Sequence, residues 1–234
     1  MRQKFHFTMT RGAHTALLVF LLMYTVGLPL LIDWHAAEYP GVFTSLQYNM
    51  AYVGLSFTAA LALGFRYLRT EFDTLLDNKL LNLFTLIQGY FLNTVLSYFL
   101  LLAVVMVMGE NLNWVNPNNE NIVGMSEGDV RKVLGMTVFL APVAEEVLFR
   151  GAVFGWLREK DRAAAYIVSM TLFAVLHVWQ YALAAQDMSV LLYALDYLPA
   201  GFVLAWCYDR TGSVWTSILM HMGINLNALS LLYY

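Results

Sequence analysis

The chain of 234 residues predicts an all-α fold, a multi-pass transmembrane helical bundle of about seven spans with a polar cavity between the four C-terminal helices. Three observations predict it. The chain is 60% hydrophobic and 12% charged, with a mean hydropathy of +0.61, whereas soluble domains carry roughly 25% charged residues. Its apolar residues gather into runs near the roughly 20 residues that cross a 30 Å hydrocarbon core as helix. No alternating strand pattern competes with these runs, and a helix satisfies its own backbone groups in lipid.

The seven runs cover about 13–32, 48–68, 80–108, 133–156, 163–184, 189–208 and 213–233. The third is the longest and has room to tilt. With the N-terminus inside, Arg2, Lys4, Arg11, Arg66, Arg69, Lys79, Arg158, Lys160, Arg162 and Arg210 fall at cytoplasmic ends, against only Arg131 and Lys132 outside. The positive-inside rule then places the N-terminus in the cytoplasm and the C-terminus outside a cell membrane. Between the third and fourth runs, 109–132 is polar and asparagine-rich and reads as a solvated connector. Ser126 and Asp129 suit the start of an amphipathic helix that leads into the fourth span.

The rest of the composition narrows the classes. One membrane domain over 1–234 is expected, with N-terminal helices to about 110 and a catalytic core over about 126–234. A net charge of −3 argues against nucleic acid as a partner. The single cysteine, Cys207, excludes an intrachain disulfide and a multi-cysteine zinc site. The first apolar run lacks the small-residue cleavage pattern of a signal peptide and is expected to stay as an anchor.

Ionisable residues inside spans carry the functional signal, since each costs about 2.5–3.5 kcal/mol at a helix centre and so faces a cavity or a partner. Glu145, Glu146 and Arg150 lie in the fourth span, His177 in the fifth, Asp196 in the sixth and His221 in the seventh. On a helix, Glu146 and Arg150 stand roughly 40° apart on one face, while Glu145 points about 140° from Arg150. Glu146 therefore pairs with Arg150 and leaves Glu145 for the cavity, with Pro142 just ahead to kink the helix. His221 and Asn225 share a face at i, i+4.

A carboxylate beside a neutral imidazole can deprotonate a water for peptide hydrolysis, and a second histidine with an amide can stabilise the oxyanion. The same set could instead hold zinc through Glu145, His177 and His221 with an open position for water. No His-Glu-x-x-His pattern is present. Asp196 either lines the cavity or snorkels.

At these positions the sequence resembles the CPBP family, which contains the type II CAAX prenyl endopeptidases and the bacterial Abi proteins linked to bacteriocin processing and immunity. The motifs are Glu145-Glu146-Val-Leu-Phe-Arg150, Phe173-Ala-Val-Leu-His177 and His221-Met-Gly-Ile-Asn225, with the stretch from Asp209 to Trp215 also similar. The resemblance runs over about 133–232, and the first three spans match only as generic hydrophobic helices. It implies an intramembrane endopeptidase in which Glu145 and His177 activate water and His221 and Asn225 stabilise the oxyanion. Glu146 and Arg150 then support them.

The expected partners are a membrane-embedded or lipidated peptide and membrane lipids. The short chain and small loops look bacterial, which favours precursor or leader peptides over prenylated CAAX proteins. Two other classes compete: a non-catalytic bacteriocin immunity or partner-binding membrane protein, which an intact site disfavours, and an ion-coupled transporter, which the lack of internal repeats disfavours.

Overall fold

The computed structural model describes residues 5–108 and 114–232. Among the described residues every regular element is helical. Helix α1 spans Arg11–Glu38, α2 Ser45–Asp77 and α3 Lys79–Met108. Helix α4, Pro117–Leu134, runs without a gap into α5, residues 135–158. Then come α6 (Arg162–Leu176), the short α7 (Trp179–Ala185), α8 (Met188–Thr211) and α9 (Val214–Leu232).

The all-α membrane bundle is as the sequence predicts. By length and apolar composition alone, four helices are able to cross a membrane: α1, α2, α3 and α8; the pair α6–α7, bent by 42°, counts as a fifth when taken as one span. Of the seven expected spans, α5 and α9 fall short by that measure; they carry Glu145, Glu146 and Arg150, and His221, Asn225 and Asn227. These side chains dilute the apolar character of the two helices that the rest of the bundle encloses.

Helix ends follow local chemistry. Thr10 and the reciprocal pair Thr44–Gln47 cap α1 and α2, satisfying amides that have no partner within the helix. Asn116 caps α4, with Pro117 at its first position, well before the start that Ser126 suggests. Ser126 instead donates to the Val123 carbonyl inside the helix. At Asp129 the helix kinks, and its carboxylate accepts the Arg131 and Lys132 amides to restart it. The Lys132 ammonium and these amides hold Asp129 below the usual carboxylate range.

The core lies where α2, α5, α8 and α9 cross, around Tyr67, Val147, Phe149, Leu204, Tyr208 and Ile218. Gly201 lets α8 approach α6, since a Cβ there would stand 3.1–3.4 Å from Met170. At one end of the bundle, buried Glu71 accepts from Thr8 Oγ1 (2.6 Å) and the Val214 amide (3.0 Å), while Ser213 Oγ donates to its carbonyl. This fixes where α9 begins, and with it the depth of His221 two turns further on. Asp209, accepting from Arg158, Arg162 and Tyr166, ties α5, α6 and α8 together at their ends.

Candidate active site

Helix α5 places the glutamates through an irregular path. Two π-helical stretches, Gly135–Leu140 and Val147–Phe154, flank the α-helical turn Ala141–Glu146 that begins with Pro142. Such widened turns are frequent at functional sites. They leave Glu145 and Glu146 in different surroundings.

Glu146 is wholly buried and fully engaged. Its Oε1 accepts from Arg150 Nη1 (3.1 Å) and His221 Nδ1 (2.9 Å), and its Oε2 accepts from Ser217 Oγ (2.6 Å). Arg150, also wholly buried, donates its other arm to the Gly201 carbonyl (3.0 Å) and lies over the Phe173 ring. A buried charge persists only when paired and hydrogen-bonded. This cluster meets that condition and joins α5, α8 and α9.

Glu145 is different. Its Oε1 accepts from Tyr24 Oη on α1 (3.2 Å), but its Oε2 is buried without a hydrogen-bond partner. That oxygen stands 3.9 Å from His177 Nε2 and 3.9 Å from His221 Nε2.

The other ring nitrogens fix the protonation pattern. His177 Nδ1 lies 2.7 Å from the Phe173 carbonyl, which can only accept, so Nδ1 carries the proton. His221 Nδ1 faces a carboxylate already taking donors from Arg150 and Ser217, so it donates as well. In the neutral rings both Nε2 atoms then present lone pairs toward Glu145. Phe173 packs between the two imidazoles, 4.5 and 5.5 Å from them by ring centroid.

The bond from His177 also shapes the backbone. Its side chain takes the Phe173 carbonyl that a helical amide would have used, and its own amide turns to Ala174 instead. The helix therefore ends at the histidine and resumes at Trp179, producing the 42° bend.

Glu145, His177, His221 and Asn225 all line a cavity of about 550 Å³. Asn225 donates one amide hydrogen to the Thr137 carbonyl (2.8 Å) and keeps a second.

The mouth of the cavity is built from the segment that read as a solvated connector, of which 109–113 lie outside the described residues. Asp196 accepts from Trp114 Nε1 and Asn116 Nδ2, so it lines the cavity as an anchor for this segment. Asn118 donates to Tyr197 Oη and Asn121 to Tyr181 Oη. Tyr197 stacks on His177, with centroids 4.3 Å apart and planes at 25°.

Sequence reasoning missed Tyr24, Ser217 and Tyr197. A tyrosine within the first apolar run was the only signal for Tyr24, and a serine four residues before His221 the only one for Ser217.

The donor set of Glu145, His177 and His221 suits a divalent ion chemically, but the 3.9 Å spacing is wider than the roughly 3.3 Å between ligands 2.0–2.1 Å from a tetrahedral zinc. Among the described residues no group of three or more His, Cys, Asp or Glu is placed to hold a metal ion.

Fold and site together define a helical membrane protein with a buried glutamate–histidine centre opening on a cavity lined by both carboxamide and apolar side chains. The stretch that holds this centre is similar to a CAAX-type protease family: residues 130–227 match the family described as type II CAAX prenyl endopeptidase Rce1-like. UPF0177 protein YxdF of Lactococcus lactis is 31% identical over 97 residues, 40% of this chain and 45% of that protein. YdiL of Bacillus subtilis, named as a candidate membrane peptidase, is 31% identical over 87 residues, 37% of this chain and 31% of its own. The chain thus spans less than half the length of the curated relatives it matches. No solved structure matches it.

Proposed function

We propose that the protein is an intramembrane endopeptidase that hydrolyses a peptide bond of a membrane-associated or lipidated peptide with water activated by Glu145 and His177. The observation that carries this reading is the convergence of one unpartnered carboxylate oxygen and two imidazole Nε2 atoms on the same small gap. The similarity of residues 130–227 to a CAAX-type protease family supports it.

The mechanism runs on the chain's own groups. A water in the gap donates to Glu145 Oε2 and to His177 Nε2, which align its oxygen lone pair on the scissile carbonyl. Glu145 takes a proton as the O–C bond forms. The oxyanion falls to His221 and to the free amide hydrogen of Asn225. Because His221 Nδ1–H is committed to Glu146, its Nε2 donates to the oxyanion only in the imidazolium form, which takes its second proton from water in the cavity before the carbonyl is attacked. The proton on Glu145 then passes to the leaving nitrogen as the C–N bond breaks.

The proposed setting is a bacterial cell membrane with the N-terminus in the cytoplasm, supported by the basic residues at those helix ends. Reporter fusions after Lys160 and Arg131 should read cytoplasmic and external, respectively. For the activity, purified protein is incubated with lipidated and leader-type peptides. Cleavage should vanish in Glu145→Gln and His177→Gln, and cleavage that persists in both variants would sink the assignment.

A further inference from the structure

The cavity walls carry a second message, which rests on the peptidase reading and concerns the kind of chain it would cut. Beyond the catalytic cluster the lining is rich in carboxamides, among them Asn49 on α2, Asn93 on α3, Asn121 on α4, Gln180 on α7 and Asn227 on α9. A carboxamide offers a donor and an acceptor side by side, the same pair that each peptide unit presents; Asn49 and Asn121 each spend one hydrogen on Ser45 and Tyr181 and keep a second, and Asn227 accepts from Tyr90 and keeps its amide hydrogens. Two residues of the lining each hold a buried polar atom without a partner: Asn93, its Oδ1 acceptor, on α3, and Trp179, its Nε1 donor, on α7. Buried polar atoms are normally paired, and the shortfall here is one acceptor and one donor that a bound backbone can supply.

The charges of the lining are one-sided. Glu145 and Asp196 are its carboxylates, His177 and His221 are its only groups able to turn cationic, and no Lys or Arg among the described residues lines it. Arg150 lies beyond Phe173, held by Glu146 and Gly201. A C-a-a-X chain ends in a free carboxylate three residues after its cysteine. In extended form that places the carboxylate within about 11 Å of the bond after the cysteine. Two like charges at that range in a protein interior repel, and the one cation the lining forms, the His221 imidazolium, is directed at the oxyanion rather than at the chain end.

We infer that the cavity receives an extended internal stretch of neutral or basic peptide, paired through its backbone by the carboxamides. It discriminates against a chain that ends in a free carboxylate within a few residues of the scissile bond.

The test uses the full-length protein in lipid vesicles and mixed-sequence peptides with acetylated N-termini, made in two sets, one with free and one with amidated C-termini. Cuts that depend on Glu145 are mapped by mass spectrometry. Bonds three residues from the end should be cut at least about tenfold faster in the amidated set, and bonds deep in the peptide equally in both. Asn227→Lys, which adds a cation to the lining outside the catalytic cluster, should narrow the gap.

Equal or faster cutting of the free acids near the end overturns the inference while leaving the peptidase reading intact. A tenfold gap that Asn227→Lys leaves unchanged overturns its charge basis. No Glu145-dependent cut in either set overturns the peptidase reading and the inference with it.

Discussion

Glu145 and Glu146 are neighbours in sequence with opposite relations to their surroundings, so replacing each with glutamine should separate stability from chemistry. Glu146→Gln puts an amide nitrogen against one of three donors, Arg150, His221 or Ser217, and removes the charge that balances a guanidinium with no exposed surface. Breaking a buried pair from one side costs about 3–5 kcal/mol. At about 2–4 °C per kcal/mol for a chain of this size, the melting midpoint should fall by roughly 6–20 °C.

Glu145→Gln loses no partner on Oε2, which has none, and keeps an acceptor for Tyr24. It should melt within a few degrees of the parent protein, or above it, because an unpaired buried charge is gone. Its peptide cleavage should fall about 10²–10⁴-fold with loss of the general base. Thermal unfolding in detergent, followed by tryptophan fluorescence, and cleavage of one peptide substrate give both readings. Equal melting of the two variants, or full activity in Glu145→Gln, would refute the division of roles.

Tyr24→Phe removes the one donor to Glu145 but keeps the ring stacked on Tyr52. A hydrogen bond to a charged group is worth about 1.5–3 kcal/mol of stability, so the melting midpoint should fall by about 3–12 °C, and kcat/KM should drop about tenfold or more as the base loses its anchor. Tyr197→Leu strips the ring from the face of His177 and should lower kcat/KM about 2–12-fold, the value of an aromatic pair. Tyr197→Phe keeps the stack and should lose less, a contrast that steady-state kinetics would show. Because Glu145, His177 and His221 are spaced too widely for a zinc tetrahedron, incubation with a strong zinc chelator should leave cleavage unchanged. A loss that added zinc restores would reverse that reading.

How much was legible in the sequence follows from what lipid makes expensive. A charge in an apolar run stands out, so Glu145, Glu146, Arg150, His177 and His221 could be named at once, and the i, i+4 rule was enough to pair Glu146 with Arg150. The same side chains that mark α5 and α9 as important also interrupt their apolar runs, so these two fall short of a span by composition alone. The asparagine-rich segment misled because asparagine composition describes turns and solvated loops equally well. Its true partners, Asp196, Tyr197 and Tyr181, lie 60 to 82 residues further along the chain. Ser217 and Tyr24 were hidden likewise, since only the crossing of α9 and α1 over α5 brings them to the glutamates. The break at His177 was invisible because it depends on which nitrogen of a ring reaches which carbonyl.

These hidden contacts share one arrangement, and it explains why the site needs so many residues that touch no substrate. The outer atoms of the cluster are all committed: His177 Nδ1 to Phe173, His221 Nδ1 to Glu146, and Glu146 in turn to Arg150 and Ser217. The inner atoms, Glu145 Oε2 and the two Nε2 atoms, face one another, 3.9 Å from the carboxylate oxygen to each ring. Fixing the outer nitrogens sets which nitrogen faces inward and the plane of each ring, so the rings need not turn when a water and a carbonyl arrive. Without Arg150, Glu146 would be a buried carboxylate with no balancing charge. The buried ion pair, which looks structural in isolation, is thus part of what lets two adjacent carboxylates differ: one engaged by three donors, the other with an unpartnered oxygen facing two imidazoles.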